Sequence, residues 1–559
     1  MSKTMFTSCV PSAVDHGQEI VVRRLLVLFT ALLAVLFLAP PAGAAFAPPA
    51  GAARPAGADG AAPGVSISHR TVPGADGVTL DAKVIEPAGD GPFPLLVMPA
   101  SWAVPNIEYV GAAARLAYES GYVVVTYTAR GFYASGGEIE VGGPEDRADA
   151  SKVIDWALAN TAADPGRIGM GGISYGAGIS ALTAAEDPRV RAVASMSGWS
   201  DLVTSLYPNR TVSTQAVEML LAIGHPTGRF GADLRALERA YREGRIEQAL
   251  HLAADRSPLA ETDELNKNGT AVLLAHSWED SLFPPQQMTE LYRKLTGPKR
   301  LMLAPGDHAG PELFGAAGLP NDSWDAARRW FDHHLRGVPN GIDTENPVQL
   351  KPVSGGNWRG YPDWESVTGA VDTRHLGGPA PAPATPATGT LAPDPQPAWQ
   401  HRIGTGSPTV ADSGAAIVSG VLQQFQIPVA TSVPLVDRRA AGVWRTEPYP
   451  SSVTVSGAPK LRTTVTPESG TTSLFAYLYD VDPAGGGRLI THKPITLRDA
   501  EPGEPQQVDL ALEPAVWQLP AGHRLVLVAD TVDPRYGGES EPGGAVSFSG
   551  PGRFDVPLG

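Results

Sequence analysis

Gly171-Gly172-Ile173-Ser174-Tyr175-Gly176-Ala177-Gly178 is the stretch around which the rest of the chain is organised. It follows residues 167–170, which read as a buried strand, and precedes residues 179–185, which read as a helix. A Gly-x-Ser-x-Gly pattern between a strand and a helix is typical of a nucleophile elbow, a tight turn that presents a serine at the edge of a sheet. The context therefore predicts a nucleophilic Ser174, and the alternative is a glycine-rich turn without chemistry.

The backbone of such a turn makes two demands that the sequence meets. Side chains at positions 172 and 176 would collide with the neighbouring strand and helix, and both positions are glycine. The helix that follows directs the positive end of its dipole at the serine. We therefore expect the backbone N–H of Tyr175 to be one donor of an oxyanion hole.

Strands and helices alternate on both sides of the elbow. Apolar runs that suit strands buried on both faces occur at 93–98, 121–127, 190–196, 271–275 and 300–304. Helical segments lie between or after them at 109–120, 146–160, 286–295 and 324–335. The alternation predicts an α/β fold, with a mainly parallel sheet covered by helices on both faces.

A chain of 559 residues is too long for one core, and its composition divides it. Residues 65–340 carry the alternating pattern. At about 200–268 it is interrupted by a polar helical stretch that we interpret as a cap over the sheet, with predicted helices at 216–223 and 234–254. Helical periodicity then ends, and short strands separated by Gly/Pro turns predict an all-β domain over 341–559, a sandwich or jelly roll.

The N-terminus reads as a targeting segment. Arg23-Arg24 precede an apolar run at 25–39, and Ala42-Gly43-Ala44 supplies a small-x-small cleavage pattern. We therefore expect a signal peptide over 1–44, cleaved after Ala44, then a flexible Ala/Pro/Gly-rich segment at 45–64 and a secreted mature protein. The alternative is an uncleaved membrane anchor, for which the apolar run is short.

Charge and cysteine content exclude several classes of protein. The net charge of −15 argues against nucleic acid or an anionic membrane as a partner, because both need a basic surface. The single cysteine, Cys9, would be lost with the signal peptide, so the mature chain would have neither a disulfide nor a thiol nucleophile. No His, Cys and carboxylate spacing is typical of a metal site, and neither metal nor cofactor is predicted. The oligomeric state is left open.

A serine nucleophile needs a base and an acid that orients the base. In this fold the order along the chain is serine, acid, histidine, each after a strand. Asp280 follows the strand at 271–275, and His308 follows the strand at 300–304 and a glycine turn. The sequence therefore predicts a Ser174–His308–Asp280 triad, with Glu279 as the rival acid.

A second oxyanion donor is expected from the loop after the third strand, which reads Pro99-Ala100-Ser101-Trp102. The sequence leaves two alternatives open. One is a backbone N–H near Ser101 or Trp102, and the other is a side-chain donor such as the indole N–H of Trp102.

Several motifs together resemble the X-Pro dipeptidyl-peptidase (S15) and cocaine-esterase-like (CocE/NonD) family. In the hydrolase part they are Arg130-Gly131-Phe132-Tyr133-Ala134-Ser135-Gly136-Gly137, the run from Asp164-Pro165-Gly166-Arg167 to the elbow, and Ser257-Pro258-Leu259 leading to Trp278-Glu279-Asp280. In the β part they are Asn357-Trp358-Arg359-Gly360-Tyr361-Pro362-Asp363-Trp364 and Leu478-Tyr479-Asp480-Val481-Asp482-Pro483. The resemblance covers nearly all of residues 65–559.

The resemblance implies an α/β-hydrolase fold with an inserted helical cap, followed by a jelly-roll (galactose-binding-like) domain. It gives Ser174, Asp280 and His308 the triad roles and Tyr175 an oxyanion role. The family often draws its second donor from a tyrosine hydroxyl, where this chain has Ser101-Trp102. The implied function is a serine hydrolase that cleaves a small ester or peptide substrate through an acyl-enzyme, similar to an X-Pro dipeptidyl-peptidase.

Two alternatives to the peptidase interpretation remain. One is an esterase of the cocaine-esterase type without peptidase activity, and the other is a non-catalytic binding protein. A dipeptidyl-peptidase needs a carboxylate that holds a free α-amino group, for which Glu138, Glu140 and Glu145 are candidates. An esterase needs only an apolar acyl pocket. Asp307, beside His308, reads as a loop carboxylate without a catalytic role.

Overall fold

The computed structural model describes residues 64–382 and 385–559. The predicted signal peptide, its cleavage after Ala44 and nearly all of the segment at 45–64 lie outside the described residues. Within the described part of the chain, no helix is both long enough and apolar enough to cross a membrane.

Ten of the described strands form one sheet. In chain order they are β1 (Val65–Pro73), β2 (Thr79–Pro87), β3 (Phe93–Pro99), β4 (Val123–Tyr127), β5 (Ala163–Ile173), β6 (Val190–Met196), β7 (Ala271–Ser277), β8 (Lys299–Ala304), β9 (Val348–Leu350) and β10 (Arg359–Tyr361). Their order across the sheet is β1-β2-β4-β3-β5-β6-β7-β8-β9-β10. Neighbours from β4 to β9 are parallel, whereas β1, β2 and β10 pair antiparallel at the edges. Two of these strands lie beyond residue 340, where the sequence placed the domain boundary.

The helices before the β domain connect these strands. In chain order they are α1 (Val110–Ser120), α2 (Pro144–Asn160), α3 (Tyr175–Glu186), α4 (Leu202–Leu206), α5 (Thr214–Thr227), α6 (Ala232–Arg242), α7 (His251–Ala254), α8 (Thr262–Asn268), α9 (Pro285–Lys294), α10 (Leu313–Ala316) and α11 (Asp322–Arg336). Helices α4 to α8 lie between β6 and β7 and form the cap. The prediction of one helix over 234–254 is wrong. Helix α6 ends at Arg242, and Gly244 follows with φ +66°, a left-handed conformation that glycine adopts at little cost.

Both faces of the sheet are buried, as the apolar runs predicted. Along β3, Leu95 and Val97 belong to one hydrophobic cluster, while Leu96 and Met98 belong to a separate cluster on the opposite face. All four side chains are at most 1% exposed. Because successive side chains of a strand point to opposite faces, a run without polar residues is only stable between two layers of helices.

The remainder of the described chain is mostly strand. Its elements are β11 (Ala370–Leu376), β12 (Ala380–Ala382), β13 (Thr385–Ala392), β14 (Gln400–Gly404), α12 (Val418–Gln424), β15 (Ala430–Ser432), β16 (Gly442–Arg445), β17 (Val453–Gly457), β18 (Lys460–Pro467), β19 (Thr472–Val481), β20 (Gly486–Leu497), β21 (Gln506–Ala511), β22 (Ala515–Leu519), β23 (Arg524–Asp530) and β24 (Ala545–Leu558). Long antiparallel pairs such as β19 with β20 and β18 with β24 dominate. The region is therefore a β domain, and its jelly-roll topology stays a prediction.

The β domain packs against the cap and the sheet. On the cap side, Asn209 Nδ2 donates to the Pro494 carbonyl at 3.0 Å, and the hydroxyls of Thr211 and Thr496 lie 2.8 Å apart. These contacts join the segment between α4 and α5 to strand β20. The cap therefore contacts the β domain directly.

Candidate active site

Ser174 occupies the tight turn that its sequence context predicts. It lies between β5 and α3 with φ 55° and ψ −115°, a strained conformation for a residue with a side chain. A Cβ atom at Gly176 would lie 1.9 Å from the carbonyl oxygen of Pro99, so only glycine fits there. The backbone N–H of Ser174 donates to the Met196 carbonyl at 2.9 Å, which ties the strained residue to β6.

Three side chains from separate strand ends form one hydrogen-bonded chain. Nε2 of His308 lies 2.8 Å from Oγ of Ser174, and its Nδ1 lies 3.0 Å from Oδ2 of Asp280. Asp280 also accepts backbone N–H groups of Leu282 at 3.0 Å and Phe283 at 2.8 Å. The arrangement has the geometry of a nucleophile, a base and an orienting acid.

The opposite charges of Asp280 and His308 stabilise each other. Burial by itself would raise the pKa of Asp280, but the neighbouring His308 and His276 hold that pKa below its ordinary value. Burial would lower the pKa of His308, whereas the charge and hydrogen bond of Asp280 raise it above its ordinary value. Glu279, the alternative acid, is not part of this hydrogen-bonded triad, because it makes no hydrogen bond to His308 among the described contacts. Burial raises the pKa of Glu279 to about 7.

Asp307, to which the sequence assigned no role, connects the two loops that carry the acid and the base. Its Oδ1 accepts the backbone N–H of Ser281 at 2.7 Å and that of His308 at 2.8 Å. Its side chain is buried, with 1% of the residue exposed. Because Ser281 follows Asp280 directly, one carboxylate oxygen fixes the separation of Asp280 and His308. The adjacency of Asp307 to His308 was visible in the sequence, but its direction toward the other loop was not.

The β domain packs directly on this carboxylate. A Cβ atom added at Gly420 of α12 would lie 2.6 Å from both Cβ and Oδ2 of Asp307. The backbone N–H of Ile417 donates to Oγ of Ser281 at 2.9 Å. The guanidinium of Arg535 is buried, and its charge acts on Asp307 and Glu279. The loops that carry the acid and the base are therefore supported from across the domain interface.

Ser197 and Glu312 support the backbone of Ala309, the residue after His308. Oγ of Ser197 accepts the backbone N–H of Ala309 at 3.1 Å and donates to Oε2 of Glu312 at 3.0 Å. Glu312 is fully buried, and desolvation raises its pKa to about 7. This network lies beside His308 and Asp280, and the sequence offered no signal for it because its members are far apart along the chain.

In the loop after β3, the structure gives partners to Ser101 and to the indole of Trp102, which were two of the expected oxyanion donors. The backbone N–H of Ser101 donates to Glu108 Oε2 at 2.7 Å, and its hydroxyl donates to Oε1 of the same carboxylate at 2.6 Å. The indole N–H of Trp102 donates to the Leu220 carbonyl at 2.9 Å. Neither Ser101 nor the indole is free to bind an oxyanion. Among the described hydrogen bonds, none has the backbone N–H of Trp102 or of Tyr175 as its donor.

Glu108 and Tyr109 hold this loop against the elbow. The hydroxyl of Tyr109 accepts the backbone N–H of Ile173 at 2.8 Å, and Oγ of Ser101 lies 3.0 Å from the Ile173 carbonyl. The N–H of the residue before Ser174 is thereby bound by Tyr109, and its carbonyl lies beside the Ser101 hydroxyl. Desolvation raises the pKa of Glu108 to about 7.

A cavity of about 150 Å³ opens from Ser174 beneath the cap. Besides Ser174 and Tyr175, its walls come from the loop at Trp102, from Trp199, and from apolar residues of α4, α5, α6 and α7. Glu138, Glu140 and Glu145 do not line it. Glu138 pairs with Arg235 at 3.2 Å, and Glu140 lies 3.8 Å from Arg256. Across residues 64–382 and 385–559, no three His, Cys, Asp or Glu side chains gather as metal ligands would.

The elbow on a parallel sheet, with a histidine and an acid at neighbouring strand ends, defines a serine hydrolase of the α/β-hydrolase class. A family model described as X-Pro dipeptidyl-peptidase (S15 family) matches residues 76–310. A second, described as the X-Pro dipeptidyl-peptidase C-terminal non-catalytic domain, matches residues 340–549. The two matches take in most of the chain, which belongs to this family of serine hydrolases.

The names of similar proteins describe different activities. The chain is 24% identical to the cocaine esterase of Rhodococcus sp. (strain MB1 Bresler), over 86% of this chain and 93% of that one. It shares its fold with a CocE/NonD family hydrolase from Staphylococcus aureus (TM-score 0.66, 15% identity, 88% of this chain and 96% of that one). It also shares its fold with an aminopeptidase from a marine sediment Thaumarchaeota archaeon (TM-score 0.67, 15% identity, 90% and 99%). One fold thus serves esterases and peptidases, so the substrate must be argued from the site.

Proposed function

We propose that the protein is a secreted carboxylic ester hydrolase that works through the triad Ser174, His308 and Asp280 and an acyl-enzyme. The observation that carries the proposal is the unbroken hydrogen-bonded chain from Asp280 through His308 to Ser174 Oγ. A signal peptide over 1–44 accounts for secretion, and N-terminal sequencing of extracellular protein tests it, with Ala45 expected as the first residue.

In the first half of the reaction, His308 Nε2 takes the hydroxyl proton of Ser174 while Oγ attacks the carbonyl carbon of the ester. Asp280 orients the imidazole and stabilises its cationic form. The bond to the leaving oxygen then breaks, and His308 gives its proton to that oxygen, which departs as the alcohol. In the second half, His308 takes a proton from water as the water attacks the acyl-enzyme. The same proton returns to Ser174 Oγ when the carboxylic acid is released.

The oxyanion that forms in both halves needs donors that are fixed before the reaction. The backbone N–H of Tyr175, at the N-terminus of α3, is one. The backbone N–H of Trp102 is the second, because it is unpaired while the donors of Ser101 and the Trp102 indole are engaged elsewhere. This assignment replaces the tyrosine hydroxyl that the family often uses.

An ester fits this site better than an N-terminal Xaa-Pro peptide. A dipeptidyl-peptidase needs an available carboxylate near the acyl side, and the candidates Glu138 and Glu140 face arginines instead. Peptidase activity remains the second candidate, because a family model described as X-Pro dipeptidyl-peptidase (S15 family) matches residues 76–310.

One experiment tests both parts of the proposal. A fluorophosphonate probe should label the wild-type protein and should not label Ser174→Ala, whose kcat we expect to fall roughly 10⁴- to 10⁶-fold. Ser366→Ala, which changes an exposed serine, is the control and should label normally. Aryl esters should be cleaved at least about 100-fold more efficiently than Xaa-Pro anilides. Failure of the wild-type protein to label would exclude the mechanism, and comparable cleavage of the anilides would favour the peptidase.

A further inference from the structure

The cavity beneath the cap presents almost only carbon to a ligand. Its cap walls are mostly leucine, valine, isoleucine and alanine side chains, among them Leu221 of α5, Leu237 of α6 and Ala253 of α7. A dry cavity of about 150 Å³ with a comparable apolar lining is known to bind a hydrocarbon of about six carbons. The lining residues are spread over four cap helices, α4 to α7.

The aromatic polar groups along these walls are already paired within the protein. The indole N–H of Trp199 donates to the Arg256 carbonyl at 2.6 Å, just as that of Trp102 donates to Leu220. The hydroxyls of Tyr207 and Tyr241 donate to Glu247 at 2.9 Å and to Glu218 at 2.7 Å. The hydroxyl of Tyr175 donates to Asp146 at 2.7 Å. A polar ligand atom in the cavity would therefore lose its hydration without gaining one of these partners.

The charge on the cavity wall is also compensated. Glu238 of α6 is, among the described residues, the one acidic side chain that lines the cavity. Its Oε1 lies 3.0 Å from Nε2 of His225 and 3.8 Å from Nε of Arg242. These neighbours oppose the use of Glu238 as an anchor for a substrate ammonium.

The geometry also indicates which half of an ester enters the cavity. His308 must lie within reach of the leaving oxygen, since it gives that oxygen its proton. The cavity is lined by Ser174 and Tyr175 and not by His308. The alcohol therefore departs on the His308 side of Ser174, and the group that extends beneath the cap is the acyl chain.

We propose that the cavity is an acyl-chain site for unsubstituted aliphatic carboxylates of about six to eight carbons, so that the preferred substrates are medium-chain acyl esters. This inference rests on the proposed esterase function. It predicts that the site selects acyl groups by hydrocarbon length and rejects polar substituents along the chain.

A series of p-nitrophenyl esters from acetyl to dodecanoyl tests the inference. Each methylene buried between acetyl and about hexanoyl or octanoyl should raise kcat/KM by up to about 4-fold, with no further gain beyond. The 6-hydroxyhexanoyl and 6-aminohexanoyl esters should each be cleaved at least about 10-fold less efficiently than the hexanoyl ester. Efficiency that falls steadily from acetyl, or a preference for the amino ester, would overturn the acyl-chain site. No hydrolysis of any ester, with no fluorophosphonate labelling, would instead reject the proposed function.

Matched variants in the cap locate the effect. Leu237→Trp fills part of the cavity, and we expect the ratio of octanoyl to acetyl kcat/KM to fall about 10-fold. Leu252→Trp makes the same change in α7 at a residue that does not line the cavity, and should leave that ratio unchanged. If Leu237→Trp does not fold, Leu237→Gln should lower hexanoyl relative to 6-hydroxyhexanoyl cleavage. An unchanged ratio in every Leu237 variant that folds would overturn the assignment.

Discussion

The two sides of Ser174 are supported in different ways. On the base side, Asp280 and His308 are held by Asp307, whose carboxylate contacts α12 of the β domain. On the oxyanion side, Glu108 and Tyr109 hold the loop after β3 through contacts made within the hydrolase domain. The base side therefore depends on a second domain, whereas the oxyanion side depends on a short local network.

This difference places the β domain against the loops that carry Asp280 and His308. Its helix α12 and its Arg535 limit the positions that the acid and base loops can take. Catalytic groups must be held within a fraction of an ångström, because a 1 Å misplacement can cost about 100-fold in rate. Packing of a loop against a rigid neighbour is one way to supply that constraint.

The largest effect that would test this comparison comes from Asp307. We expect Asp307→Ala to lower kcat about 100-fold with little change in KM, because the Ser281 and His308 N–H groups lose their common acceptor. Asp307→Asn should retain most of the activity, since an amide oxygen can accept both N–H groups. Steady-state kinetics of both variants, with folding checked by near-UV circular dichroism, measure this. Equal losses in the two variants would show that the charge of Asp307, and not its bridging position, is what matters.

An intermediate effect is expected from the β-domain side of the same contact. Gly420→Ala places a methyl group 2.6 Å from the Asp307 side chain, and we expect kcat to fall about 10-fold as the base loop shifts. The control is Gly470→Ala, whose added Cβ would lie 3.7 Å from the nearest atom, the Ala500 carbonyl oxygen. Ester hydrolysis and thermal unfolding are measured together. A lower Tm with unchanged kcat would mean that the domain interface adjusts to the added methyl group. The triad geometry would then not depend on the contact between Gly420 and Asp307.

The smallest expected effect concerns Glu108, on the oxyanion side. It is measured as a change in how the free energy of unfolding depends on pH. Desolvation raises the pKa of Glu108 to about 7, above its ordinary value of 4.5, so the folded protein binds more protons than the unfolded chain between these values. Glu108 therefore makes the free energy of unfolding decrease as pH rises from about 4.5 to 7. We expect Glu108→Gln to remove this contribution, so that the variant gains about 1 kcal/mol relative to wild type between pH 6 and pH 7. Denaturant unfolding at the two pH values measures it.

Gln at position 108 can preserve the local contacts of the carboxylate. Its amide oxygen can accept the Ser101 N–H, and its amide N–H can donate to the Ser101 hydroxyl, which still faces the Ile173 carbonyl. If the stability difference is the same at both pH values, the charge of Glu108 is not what burial disfavours. A loss of kcat in Glu108→Gln as large as that in Asp307→Ala would contradict the contrast between the base side and the oxyanion side of Ser174.

Several parts of the site could be predicted because they are local in sequence. The elbow around Ser174 needs particular glycines next to a strand and a helix, and strand ends mark where Asp280 and His308 emerge. The supporting residues could not be predicted in the same way. Asp307, Gly420 and Tyr109 have no unusual local pattern, and their roles come from contacts between segments far apart in the chain.

The amino-acid sequence by itself determined the α/β-hydrolase fold and the class of chemistry, because periodicity, glycine positions and strand ends are encoded over a few residues each. Only the tertiary structure decided which donors near the oxyanion are free, since Trp102 and Ser101 find their partners at Leu220 and Glu108. It also decided the nature of the cavity beneath the cap, where the indole N–H and tyrosine hydroxyl groups of the walls are paired with residues far away in the chain.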